Sequence, residues 1–152
     1  MFLYSEKRKS CFFILLLSLS AFLLINNAYY GFGWTDEALY TATANSLYHG
    51  NKLFFDIFEP TQIYSVLVYP IFYIFLKLTG STDYIYLFMR IATIIIQFAT
   101  SVFVFFILSK KYKKTVSFIA SFIVLVFSRA QLFGPSYYTF VLVNFTIANI
   151  LI

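Results

Sequence analysis

The sequence predicts an all-α integral membrane protein, a polytopic helix bundle with an outer loop that contains interfacial helices. Three observations lead there. Hydrophobic residues make up 61% of the chain and charged residues 11%, against about 45–50% and 25% in soluble domains. The apolar residues gather into runs at about 11–29, 63–79, 84–108, 115–128 and 137–152, close to the roughly 20 residues a helix needs to cross a bilayer core. Basic residues cluster beside these runs, at Lys7, Arg8 and Lys9 and again at Lys110, Lys111, Lys113 and Lys114, as topology-setting flanks do.

The same composition excludes several classes. Cys11 is the only cysteine, so an intrachain disulfide and a thiolate metal cluster are ruled out. The formal net charge of +5 comes from membrane flanks, with no soluble domain to carry a basic groove, and no nucleic-acid partner is expected. Membrane lipids are the expected surroundings, and residues 1–152 read as a single membrane domain.

The first run follows Lys7, Arg8 and Lys9, which is also how a secretory signal begins. Its length and its exit, INNAYYGFGW, without a small-residue cleavage pattern, favour an uncleaved span at about 11–29. Tyr29, Tyr30 and Trp34 then form an interfacial aromatic belt. Thr35, Asp36 and Glu37 open a helix at about 35–49, and Gly50 stops it. Small and polar from Thr41 to Ser46, with Leu39, Tyr40, Leu47 and Tyr48 at hand for lipid, this helix is expected along the outer bilayer surface.

The next segment, at about 62–79, holds Pro70 in its middle and Lys77 near its end, and charge balance decides its placement. If it spans, five or six basic residues fall on each side. If it is interfacial, seven of the eleven lie inside and Asp36, Glu37, Asp56, Glu59 and Asp83 share one outer segment at about 30–83. Cytoplasmic flanks collect Lys and Arg, so the interfacial placement is adopted, with the N-terminus cytoplasmic and the loop outside a cell membrane. Spans at about 84–108 and 115–131 follow, then a break at Gly134 and Pro135, then a last run at about 137–152. That run stops without a polar flank, so the chain is expected to be the beginning of a longer protein.

Asp36 and Glu37 carry the clearest chemistry. Acids at a helix start are ordinary capping residues, worth about 0.3–1 kcal/mol each; at a membrane surface one of them is also a candidate general base. Adjacent helix positions differ by about 100°, so both side chains do not face one atom. Arg90 sits about 9 Å inside its span at about 1.5 Å per residue. Asp83, Arg90 and Gln97 are seven apart, with Thr93, Thr100 and Ser101 near the same face, so one side of this helix is polar. A buried guanidinium there suits a phosphate oxygen; snorkelling to the surface is the alternative.

Glu59, before Pro60, and Asp56 are helix-capping residues or site acids, and Lys77 either binds phosphate or reaches water. His49 stands alone. Ser117, Ala120, Ser121 and Ser128 form a small-residue stripe suited to close helix packing. The N-F-T triplet at Asn144 to Thr146 lies inside an apolar run, out of reach of a glycosylating enzyme.

Taken in order, Trp34, Asp36, Glu37, Ala38 and Tyr40, the short helix ending Leu47 to Gly50, the segment Asp56 to Pro60, the helix ending Leu76 to Gly80, and Arg90 in the next span resemble the N-terminal part of the C-fold glycosyltransferases. The branch most like it is that of the protein O-mannosyltransferases and bacterial aminoarabinose transferases, which take sugars from polyprenyl phosphates. The resemblance covers about residues 8–131, with motif character from Trp34 to Gly80. It implies an incomplete C-fold module that moves a sugar from a polyprenyl-phosphate donor to an acceptor hydroxyl at the outer face. The catalytic acid of the family matches Asp36, with Glu37 adjoining it. Arg90, Glu59, Lys77 and Gln97 are the candidate substrate contacts.

Two positions depart from the family. Glu59-Pro60-Thr61 stands where relatives often carry a basic residue or a proline pair, and Gln131 to Phe140 lacks the second outer acid that relatives carry. A divalent cation is compatible with such chemistry, yet no protein metal site is evident and no other cofactor is indicated. The rival expectation is a non-catalytic polytopic membrane protein, a transporter fragment or an assembly subunit, in which the acids only cap a surface helix.

Overall fold

A computed structural model describes residues 2–30, 36–58, 62–127 and 137–151. The described elements are helical: α1 (Phe2–Ala28), α2 (Asp36–Tyr48), a 3-10 turn (Gln62–Tyr64) leading into α3 (Ser65–Thr79), α4 (Ile85–Lys111), α5 (Lys114–Val126) and α6 (Tyr137–Leu151). Three helical stretches are long and apolar enough to cross a membrane: Arg8–Ala28, Gln62–Thr79 and Ile85–Lys111. Mean hydropathy is 2.1 and 2.4 in the first and third but 1.4 in the second. At 18 residues the second meets the length of a span, so the expectation of an interfacial placement rests on charge balance alone.

The other boundaries follow local chemistry. α1 begins nine residues before the apolar run, so the basic flank Lys7, Arg8 and Lys9 is helical. Gly80 takes the left-handed conformation, φ +68°, that ends α3, and its N–H closes on the Leu76 carbonyl. Of the expected span at about 115–131, α5 covers Lys114 to Val126, 13 residues, or about 20 Å at 1.5 Å per residue, and residues 128–131 lie outside the described residues. Phe127 is already extended. The expected break at Gly134 and Pro135 lies outside the described residues.

α4 is the central helix. Its buried positions, Ile85, Met89, Arg90, Thr93, Ile94, Gln97, Thr100, Ser101, Val104 and Phe105, recur at the three- and four-residue steps of one helical face. The polar stripe expected from Arg90 to Ser101 is therefore turned inward. Asp83 is not part of it, because the helix starts only at Ile85 and Asp83 is exposed in the preceding turn.

Two apolar clusters pack along α4. At one end Tyr40 and Ala44 of α2 meet Val68, Phe72 and Phe75 of α3 and Ile85 and Met89 of α4. At the other, Leu17 and Ala21 of α1 meet Phe105 and Leu125, and the Phe13 ring lies 4.7 Å from that of Phe118, nearly parallel. Between α4 and α5, Ser117 and Ser121 of the small-residue stripe do what their spacing predicts, while Ser128 lies outside the described residues. Ser117 and Ser121 are fully buried, and Ser101 donates to the Ser121 carbonyl at 2.6 Å, an approach that a larger side chain would block. The outward faces carry Leu15, Leu19 and Phe22 on α1 and Ile119 and Ile123 on α5, a surface suited to lipid.

Candidate functional site

The site forms where α1 ends, α2 begins and α4 passes. Arg90 lies in the second turn of α4, only 6% exposed. Its Nε donates to Glu37 Oε1 at 2.6 Å and its Nη2 to Glu37 Oε2 at 2.8 Å, a two-pronged pairing of planar fork with carboxylate. Its Nη1 donates to the Ala28 carbonyl at 2.8 Å. One guanidinium thus ties three helices together.

Each partner suits its place. Ala28 is the last residue of α1, and its carbonyl is one of the four that a helix leaves without an internal acceptor role at its C-terminus. A cation there meets the negative end of the α1 dipole, while Glu37, in the first turn of α2, meets the positive end of its own helix. The small side chain of Ala28, 3% exposed, allows the close approach. Burying two charges costs several kcal/mol per ion, and only complete pairing offsets it.

The sequence-predicted residues divide around this pair. Glu37 and Arg90 come together, and burial excludes the snorkelling alternative for Arg90. Asp36 opens α2 directly before Glu37; its side chain lies outside the described residues, as do Trp34, Thr35 and Glu59. Lys77 is exposed on α3 and holds its ammonium 5.5 Å from the centroid of the Tyr73 ring. Gln97 is fully buried about two turns further along α4 and faces α5 instead. Its Nε2 donates to the carbonyls of Phe127 at 2.7 Å and Val124 at 3.3 Å, so it caps the end of α5.

The remaining polar candidates serve local structure. Asp56 accepts the Lys52 N–H at 2.8 Å and closes the turn between α2 and α3. Gln62 reaches back to the same turn, accepting the Phe54 N–H at 2.8 Å. His49 stands against the Asn45 carbonyl at 2.9 Å on an exposed surface. Among the described residues no three His, Cys, Asp or Glu side chains gather where they could hold a metal ion.

Sequence reasoning missed one contact of the pair and two buried polar atoms on the Glu37 face of α2. The Ala28 carbonyl is backbone and leaves no signal in residue identity. Thr41 and Asn45 follow Glu37 at steps of four and so share its face of α2. Thr41 Oγ1 and Asn45 Oδ1 are buried polar atoms without a hydrogen-bond partner among the described residues, and their spacing from Glu37 was the signal that could have found them. Comparison with family models, curated proteins and solved structures gave no match.

Proposed function

We propose that the protein is a cell-membrane glycosyltransferase that moves a sugar from a polyprenyl-phosphate donor to an acceptor hydroxyl at the outer face. The reading is supported above all by the buried Glu37–Arg90 pair. That pair fixes the first turn of α2, the turn that Asp36 opens, against the end of α1 and the flank of α4. A base on a held helix start is pre-oriented, and orientation is a large part of what an enzyme contributes.

In this reading the segment at about 30–83 is outside. Asp36 takes the proton of the acceptor hydroxyl, the acceptor oxygen forms a bond to the anomeric carbon, and the bond from that carbon to the phosphate oxygen breaks. The lipid phosphate leaves with the electron pair, and the sugar inverts. Glu37, engaged at both oxygens, serves to position α2, which leaves Asp36 as the base. Arg90, its charge already met by Glu37 and the Ala28 carbonyl, acts with Glu37 as a positioning residue.

A second reading, a non-catalytic membrane protein, is favoured by one observation: the tie among Arg90, Glu37 and Ala28 satisfies a buried guanidinium with no ligand required. Transfer from a short-chain polyprenyl-phosphate sugar, assayed on the Asp36→Asn protein, separates the two. Loss of transfer supports the enzyme; undiminished transfer removes Asp36 from the mechanism. A chain that binds no such donor and transfers from none is the non-catalytic protein.

A further inference from the structure

Residues 51–58, between α2 and α3, form a turn that satisfies much of its own backbone. The Lys52 N–H donates to Asp56 Oδ2 at 2.8 Å, and the N–H groups of Phe55 and Asp56 donate to the Lys52 carbonyl at 3.3 and 2.9 Å. The Phe54 N–H donates to the Ile57 carbonyl at 3.1 Å and to Gln62 Oε1 at 2.8 Å, and Leu53 pairs with Ile57 across the turn. Gln62 is buried and ties the turn to the start of α3. Amides met in this way need no water.

The side chains do the opposite. Phe54, Phe55 and Phe58 are 62%, 75% and 80% exposed. Phe54 also holds φ at +65°, a left-handed conformation that is strained for a bulky residue, and a ring so exposed gains little packing within the molecule to offset it. Water is a poor surrounding for three rings on one turn. An apolar surrounding suits both rings and backbone, since amides at membrane depth must find their partners within the chain.

The place of the turn decides which apolar surrounding is at hand. α2 starts beside the end of α1, through Glu37, Arg90 and the Ala28 carbonyl. Its 13 residues reach about 20 Å at 1.5 Å per residue, short of the roughly 30 Å of a hydrocarbon core. The turn therefore stays on the side where α1 ends and α4 begins, whichever way α3 runs. Exposed Tyr29, Tyr30 and Tyr84 stand at those two helix ends, as aromatic side chains do at the boundary of lipid and water. An outward row on α3, Ile63, Val66, Leu67 and Pro70, exposed at helical spacing, begins next to Gln62. The rings thus adjoin a surface already suited to lipid.

We propose that Phe54, Phe55 and Phe58 enter the bilayer boundary on this side as an aromatic anchor, with Lys52 and Asp56 remaining among the headgroups. The occupant is the lipid of the membrane that the chain's own spans cross. The proposal is independent of any sugar-transfer activity and of the placement of α3.

The test uses the full chain in phosphatidylcholine nanodiscs, both faces of which are open to solutes. Trp34→Phe removes the single native tryptophan, and Phe55→Trp or Phe58→Trp supplies a reporter. Either reporter is expected to emit to the blue of free N-acetyltryptophanamide, to lose most of its emission in lipid brominated near the headgroup end of the acyl chains, and to resist aqueous iodide. Adding Asp56→Ala to Phe55→Trp removes the acceptor of the Lys52 N–H, and is expected to raise iodide quenching and lower bromine quenching. Circular dichroism checks that every variant keeps its helix content. Iodide quenching equal to that of the free compound, without bromine quenching, overturns the proposal. Protection from both quenchers overturns it too, since that describes rings covered by a second copy or another protein. Quenching unchanged by Asp56→Ala removes the part given to the built turn.

Discussion

Glu37 and Arg90, 53 residues apart in the chain, meet in a two-pronged ion pair at 2.6 and 2.8 Å. Both side chains are 8% exposed. Removing one partner strands the other charge, which in a buried pair costs about 3–5 kcal/mol. Arg90→Ala and Glu37→Ala should therefore each lower the thermal midpoint in detergent sharply. The double variant Glu37→Gln with Arg90→Met should recover much of the loss, a non-additivity that a double-mutant cycle reads directly. Arg90→Lys should behave almost as badly as alanine, because one ammonium cannot span both carboxylate oxygens and the Ala28 carbonyl.

Neighbouring acids should separate by readout. Asp36→Asn is expected to reduce sugar transfer by about 10²–10⁴-fold, the range for losing a general base, while leaving the unfolding midpoint near that of wild type. Glu37→Gln should do the reverse in order of severity, lowering the midpoint first and transfer as a consequence. Identical midpoints for Glu37→Gln and wild type would contradict the positioning role given to Glu37.

Gln97 caps α5 through the Val124 and Phe127 carbonyls. Gln97→Leu should free those carbonyls, at about 1–3 kcal/mol for a buried polar group left unmet. The removal of a buried Oε1 that has no partner among the described residues offsets part of this. Hydrogen exchange should therefore accelerate in the last turn of α5, ahead of any change in α2 or α3.

Ser121 lets α4 and α5 approach closely. Ser121→Ala should be tolerated, since it keeps the volume. Ser121→Leu should cost about 1–3 kcal/mol or more by overpacking, visible as a lower midpoint or increased proteolysis of the α4–α5 connection.

Topology is open to labelling. In a Cys11→Ser background, Lys77→Cys should react with a membrane-impermeant maleimide added from outside, and Lys111→Cys only after permeabilisation. Labelling of position 111 from outside would mean that Gln62–Thr79 crosses the membrane, as its length allows.

What the sequence made legible was whatever repeats along one helix. Arg90, Thr93, Gln97, Thr100 and Ser101 fell on one face by spacing and are buried together, and Ser117 and Ser121 announced a close helix contact. Asp83 was misplaced because a spacing of seven has meaning only inside a helix, and the chain is still in a turn there. Periodicity is silent about partners on other helices. It marked Gln97 as inward but could not say that α5 ends beside it, and it marked Arg90 without joining it to Glu37, which stood out only as an acid at a helix start. The short length of α5 was hidden too, because the hydrophobic residues continue through Phe127 after the helix has stopped.

The bond from Arg90 to the Ala28 carbonyl spans 62 residues, and this sets an order of events during synthesis. At roughly 5–20 residues per second, the ribosome adds Arg90 several seconds after Ala28. Throughout that interval the end of α1 and the acidic start of α2 wait for the guanidinium that will join them. The junction of α1 and α2 is therefore completed in retrospect, by a helix made later.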